Sequence, residues 1–281
     1  RASRPPERAE REPMRLPGGD LTGRILVAVP AALLAIGFDK LGGAGWAVLM
    51  GIFAVLGVTE LSRMLERWKP VTWAAAVVVA GMCAAALLGG AHATMGVALL
   101  ALPLAFIGVA TRPDLKGSSI AIAGTLLGVL WIGFAFSHAV LLRQLPHGAG
   151  VVIDVMVGTF LGDIGAYFGG RYIGRRPLAP KISPNKTVEG LVCGALAAVV
   201  GVFLAHLSQN QWMSQTQALG LGLACAFLGP IGDLFESLIK RDAGTKDAGR
   251  LFGAHGGVLD RLDAISFTII AGYYIWSAIP H

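Results

Sequence analysis

Apolar stretches close to 20 residues long recur through this chain with short charged tracts between them, and that pattern leaves few folds open. About 20 apolar residues make one helical crossing of a bilayer, where each helix must satisfy its own backbone hydrogen bonds. Such spans fall at about 24–38, 44–61, 71–91, 93–110, 119–142, 150–170, 187–207, 216–239 and 258–279. At 54% hydrophobic and 14% charged over 281 residues, the chain is too apolar for a soluble domain of its length. The expected fold class is all-α: a polytopic integral membrane protein of about nine transmembrane helices. The first span is short and contains Pro30, so it is expected either to cross or to pair with the second as a shallow re-entrant hairpin.

Lysine and arginine set the orientation, because cytoplasmic loops collect them. With the N-terminus inside, the inner segments hold 21 of the 23 cations, and only Lys40 and Arg143 fall outside. That asymmetry predicts a cytoplasmic N-terminus and an outward C-terminus. It also explains the net charge of +6 as topology, with no nucleic-acid partner. Residues 1–23, rich in Arg, Glu and Pro with no apolar core, are expected to form a disordered basic cytoplasmic tail rather than a cleavable signal. Cys83, Cys193 and Cys225 lie in separate apolar runs without CxxC spacing, which argues against a zinc site or a disulfide framework.

The rest divides into an N-terminal transmembrane region, 24–142, and a C-terminal region, 150–281, whose cytoplasmic loops are 171–186 and 240–257. Spans three to five carry almost no polar side chains, and no chemistry is assigned to them. His92 and His138 are read as interfacial or packing residues. Trp46, Trp68, Trp73 and Tyr273 are read as anchors at the membrane boundary.

Charge enters the spans of the second region. Asp154 and Asp163 lie within span six, where a carboxylate is costly and marks a functional site by default. Tyr167 and Arg171 follow Asp163 by one and two turns on the same face, while Gly158, Gly162, Gly165 and Gly169 are read as a helix-packing surface. The next loop offers five cations, the hydroxyls of Ser183 and Thr187, and an expected helix start at Pro184 to Glu189 whose amides would face an anion. Basic loops of this kind also touch acidic membrane lipids; the core Ser183-Pro-Asn-Lys186-Thr187 goes beyond that need and is read as a phosphate-binding element. In span eight, Gly229-Pro230 is expected to kink the helix. Beyond it Asp233, Glu236, Ser237 and Lys240 share one face.

From Ser237 to Asp263 the chain crowds Lys240, Arg241, Lys246, Asp247, Arg250, His255, Asp260, Arg261 and Asp263 among glycines. A charge-dense loop is usually a solvated turn. Here carboxylates and cations interleave, the pair Gly256-Gly257 precedes a new helix, and charge continues into both flanking spans. Asp233 and Asp260, with Asp263 as a third candidate, suit a hard divalent cation such as Mg²⁺. Lys240, Arg241, Lys246 and Arg261 would neutralise phosphoryl oxygens, and Gly256 and Gly257 would let backbone amides approach an anion. Phosphoryl or nucleotidyl transfer needs that inventory and no protein nucleophile. The absence of Walker A, HExxH and GxSxG patterns disfavours an ATPase, a zinc protease and a serine hydrolase.

The run Ser237-x-Ile239-Lys240-Arg241-x4-Lys246-Asp247-x-Gly249-x2-Phe252-Gly253-x-His255-Gly256-Gly257-Val258-x-Asp260-Arg261-Leu262-Asp263 resembles the signature of the phosphatidate cytidylyltransferases, also called CDP-diacylglycerol synthases. Gly232-Asp233-Leu234-x2-Ser237, Asp163-x-Gly165-Ala166-Tyr167 and Ser183-Pro184-x-Lys186-Thr187-x-Glu189-Gly190 are similar to further motifs of that family. The likeness covers about 155 to 265; before that only hydropathy matches. Gly253 stands where many members have Pro, and Asn185 where a Lys is common.

The resemblance implies an integral membrane enzyme, in a compact form that fits a bacterial plasma membrane, joining CTP to phosphatidic acid at its cytoplasmic face. Pyrophosphate would leave and CDP-diacylglycerol would feed phospholipid synthesis. It also implies Mg²⁺, a second, monovalent cation such as K⁺, and a homodimer. Asp163, Ser183, Lys186, Thr187 and Ser237 would contact substrate. His255 would either donate to the leaving pyrophosphate or fix its loop. Two other classes stay open: an ion-coupled transporter using Asp154, Asp163 and Asp233, and a CDP-alcohol phosphotransferase, whose Asp-Gly-x2-Ala-Arg pattern is absent.

Overall fold

The structure, a computed structural model, describes residues 37, 39–245, 248–249 and 257–278. The tail at 1–23 and nearly all of the span expected at 24–38 lie outside the described residues, as do Lys246, Asp247, Arg250, His255 and Gly256.

The described chain is almost wholly helical. In order come α1 (Gly43–Met64), α2 (Thr72–Leu99), α3 (Ala101–Ala110), α4 (Ser118–Gly128), a π-helical turn at Val129–Gly133, α5 (Phe134–Gln144) and α6 (Gly148–Ile173). A two-stranded ribbon, β1 (Pro177–Ala179) and β2 (Ser183–Thr187), leads to α7 (Val188–His206), α8 (Gln215–Ala243) and α9 (Leu259–Ser277). Six stretches, 43–64, 72–110, 118–144, 148–173, 188–206 and 215–243, are long and apolar enough to cross a membrane. The protein is therefore an all-α membrane protein carrying one small ribbon. Helix α9 is of spanning length but brings Asp260, Arg261 and Asp263 into its first turns.

The stretch 72–110 is not a single rod. Gly90 takes φ 68° and ψ −161°, a left-handed conformation that glycine adopts without the penalty a Cβ imposes, and the chain reverses there. A Cβ placed on Gly81 would lie 3.1 Å from Val97, and one on Gly108 would overlap Val71, so the two arms run antiparallel.

The N-terminal helices and α9 share one core. Trp131 donates from its indole to Ser266 Oγ at 2.9 Å, and Trp276 donates to the Pro146 carbonyl at 2.7 Å. Trp46 is not the boundary anchor expected of it: it is 3% exposed and donates to the Ala139 carbonyl at 3.0 Å, because a buried indole needs an acceptor. His138 is a packing residue, held between the Phe134 carbonyl and the Tyr274 hydroxyl. Cys83 and Cys225 are buried and unbridged.

Helices α6 and α7 meet along their glycines, as span six suggests. A Cβ on Gly194 would fall 2.7 Å from the Gly162 carbonyl and 2.9 Å from Ala166 Cβ. In lipid, where helices gain little from hydrophobic burial against one another, such backbone approach supplies the packing. Gly194→Val is expected to destabilise by about 1–3 kcal/mol through overpacking, read as a lower melting temperature in detergent.

The segment after α6 corrects one expectation. No helix begins at Pro184; Ser183–Thr187 is a strand paired antiparallel with Pro177–Ala179, and the helix starts at Val188. Thr187 decides this, since its extended backbone and its hydroxyl, accepting from Gly190 N–H at 3.1 Å, make it the N-cap. Glu189 then accepts from the backbone N–H groups of Arg175 and Arg176 at 3.0 and 3.1 Å and from Arg176 Nε at 2.9 Å. Those bonds seat the ribbon on the start of α7. Helix α8 runs through Pro230 as one element.

Candidate active site

A cavity of about 520 Å³ opens where α6, β2, α8 and α9 converge. Helix α6 contributes Asp163, Tyr167 and Arg171, spaced at i, i+4 and i+8 so that they share a face. Strand β2 contributes Asn185, Lys186 and Thr187; α8 contributes Pro230 and Asp233; α9 contributes Asp260 and Asp263. Gly232 makes the last pairing possible, because a Cβ there would fall 2.5 Å from the Asp263 carbonyl oxygen. The two helices thus touch beside the two aspartates.

Charge in the pocket is paired unevenly. Lys186 forms an ion pair with Asp233, and Ser237 Oγ lies 3.5 Å from Asp233 Oδ1. Asp163 is near enough to Asp263 and Asp233 to be repelled by both and to Lys186 to be attracted. Behind them Lys240 Nζ donates to Glu236 at 2.9 Å and to Asp260 at 3.0 Å. Glu236 is fully buried, so Lys240 is its essential counter-charge. Asp260 also accepts from Ala248 N–H at 3.0 Å and Gly257 N–H at 2.7 Å, which ties the 240–257 loop at those two points to the first turn of α9.

Of the residues singled out in the sequence, Asp163, Lys186, Thr187, Asp233, Asp260 and Asp263 meet on this cavity, with Lys240 directly behind Asp260. Some of the singled-out residues have structural roles, and others lie off the cavity. Thr187 uses its hydroxyl as a cap, and Gly257 gives its N–H to Asp260. Arg241 Nε donates to the Ile182 carbonyl at 3.2 Å, bracing the ribbon. Ser183, Ser237 and Arg261 are not on the cavity wall, and Arg261 lies on the exposed side of α9. Asp154 is fully buried, bonded to Gln209 at 2.8 Å, and lies off the cavity.

One residue was missed. Glu60, on α1, is 4% exposed and accepts from Leu259 N–H at 3.1 Å. The available signal was a carboxylate inside an apolar span, overlooked because its neighbours in sequence carry no motif.

Comparison with known proteins adds to this geometry. The profile of the Cytidylyltransferase family matches residues 22–279. The chain belongs to that family. It is similar to the phosphatidate cytidylyltransferase of Pseudomonas aeruginosa, 37% identical over 266 residues, covering 92% of this chain and 98% of the relative. The phosphatidate cytidylyltransferase of Brucella suis is 33% identical, covering 92% and 94%, and that of Mycobacterium bovis 28% identical, covering 94% and 90%.

The donor set of this cytidylyltransferase pocket bears on the Mg²⁺ that the sequence suggests. Its metal-ligating side chains are carboxylates, which suit a hard cation, and Asp163, Asp233 and Asp263 repel one another. Among the described residues no group of three or more His, Cys, Asp or Glu is arranged to hold a metal. Mg²⁺ commonly takes one or two carboxylates and completes its shell with phosphate oxygens and water, so the residues fit a cation that arrives with a nucleotide.

Proposed function

We propose that this protein transfers the cytidylyl group of CTP to phosphatidic acid, giving CDP-diacylglycerol and pyrophosphate. The observation that carries this reading is one cavity where carboxylates from α6, α8 and α9 meet Lys186 of β2, in a chain similar over most of its length to phosphatidate cytidylyltransferases. A phosphate oxygen of phosphatidic acid attacks the α-phosphorus of CTP in line. The bond to that oxygen forms as the bond to the departing pyrophosphate breaks. The attacking oxygen is already anionic near neutral pH, so the barrier is repulsion between anions rather than proton removal.

Lys186 and Lys240 neutralise phosphate charge, and Arg241, Lys246 and Arg261 are further candidates for that role; Asp247 and His255 belong to the same loop in sequence. Asp233 and Asp263 would hold Mg²⁺, which supplies positive charge to the phosphates when bound, while Asp260 keeps Lys240 and the loop in place. A second, monovalent cation such as K⁺ and a homodimer complete the reading. In the plasma membrane of a bacterium, nine crossings with the N-terminus inside would put the cavity at the cytoplasmic face, where CTP is found. Tyr167, Phe168 and Tyr172, all exposed at the end of α6, suit the level of the lipid head groups.

The test is pyrophosphate release by detergent-solubilised protein given CTP, phosphatidic acid and Mg²⁺, with the lipid product identified by mass. Release is expected only with both substrates, and excess EDTA is expected to abolish it until Mg²⁺ is restored. Folded protein that releases no pyrophosphate under these conditions with K⁺ present would sink the reading, and ion flux in liposomes would then be measured.

A further inference from the structure

We propose that Glu60 is a positioning residue for the catalytic loop, acting from the N-terminal half of the chain on the start of α9. Helix α9 begins without a local cap: Val258 stands at its N-cap and offers no side-chain acceptor. A helix start leaves backbone N–H groups that need acceptors, and inside a membrane protein water does not supply them cheaply. Glu60 reaches across from α1 and takes the Leu259 N–H at 3.1 Å. Its second oxygen is buried with no hydrogen-bond partner among the described residues.

The close approach is built into both ends of the loop. A Cβ on Gly249 would lie 2.6 Å from Glu60 Oε1, and one on Gly257 would overlap the same carboxylate. A side chain at 249 or at 257 would collide with Glu60. Gly257 also gives its N–H to Asp260 at 2.7 Å, so the backbone that Glu60 packs against is the one that orients Asp260 and, through it, Lys240. A carboxylate in span two, outside every motif, sets the register of the motif residues.

The kinetic part of the test rests on the cytidylyltransfer reading; the exchange part does not. Hydrogen exchange is followed in wild-type and Glu60→Ala protein for the peptide covering Gly257 to Leu262, and at least tenfold faster exchange is expected in the variant. Turnover is compared for Glu60→Ala, Glu60→Gln, Gly257→Ala and Glu60→Asp/Gly257→Ala. Gly257→Ala is expected to lose about 100-fold in kcat, the scale of a 1 Å misplacement. The shorter Asp is expected to restore at least tenfold of that loss. Glu60→Gln, which keeps an acceptor for Leu259, is expected to retain more activity than Glu60→Ala.

Unchanged exchange in Glu60→Ala would overturn the proposal, as would kcat within threefold of wild type. A loss matched by a lowered melting temperature, with no recovery in the double variant, would also overturn it, since that is the mark of a fold-wide role. If wild-type protein does not turn over CTP, the functional reading fails while exchange still decides the role of Glu60.

Discussion

Asp260→Asn is expected to abolish measurable turnover in protein that still folds. The carboxylate accepts from Lys240 Nζ, Ala248 N–H and Gly257 N–H, and every one of these partners is a donor. The amide replaces one acceptor oxygen by a donating group, so at least one contact becomes donor against donor. Lys240 then loses one of its two carboxylates, and the loop loses its attachment to α9. Removing one preorganised donor or acceptor from a transition-state site costs about 10²–10³-fold in kcat; here several move together, so a loss of at least about 10³-fold is expected. Pyrophosphate release measures it, and retention of near-normal activity would remove Asp260 from the machinery.

The second large effect concerns stability. Lys240→Met is expected to destabilise the protein by about 3–5 kcal/mol, because it removes the ammonium shared by buried Glu236 and Asp260. Glu236 is fully buried and, among the described residues, its ion-pair partner is Lys240, itself 15% exposed. Removing the charge from both sides should recover much of the loss, since a neutral pair carries no unpaired ion. Lys240→Met/Glu236→Gln should therefore melt well above Lys240→Met alone, though neither is expected to turn over. Equal melting temperatures for the two variants would show that Glu236 is not the group Lys240 neutralises.

The sequence made the helices and the pocket legible to different depths. Spacing placed Asp233 and Lys240 on one face of α8 and brought Asp163, Lys186, Asp260 and Asp263 to the same reading; the cavity joins all of them except Lys240, which stands behind Asp260. Apolar periodicity located α1, the arms of the Gly90 hairpin and α6 to α9. The ribbon at 177–187 was misread because Pro184 is acceptable at a helix start, whereas the capping residue is Thr187, three positions later. Trp46 was misread because an indole near a span end suits an interface as well as a core, and only the Ala139 carbonyl distinguishes them. Glu60 was invisible for another reason: its hydrogen-bond partner Leu259 lies 199 positions away, and no local pattern announces a contact at that range.

That contact has a consequence for how the protein is made. Helix α1 leaves the ribosome well before α9, so the acceptor for Leu259 N–H waits in the membrane while every intervening helix is inserted. Until α9 docks, the pocket lacks Asp260 and Asp263, and Lys240 has Glu236 but not its second carboxylate. On the proposed reading, partly synthesised chains already resident in the bilayer cannot consume nucleotide, and the docking of α9 is the event that completes the pocket.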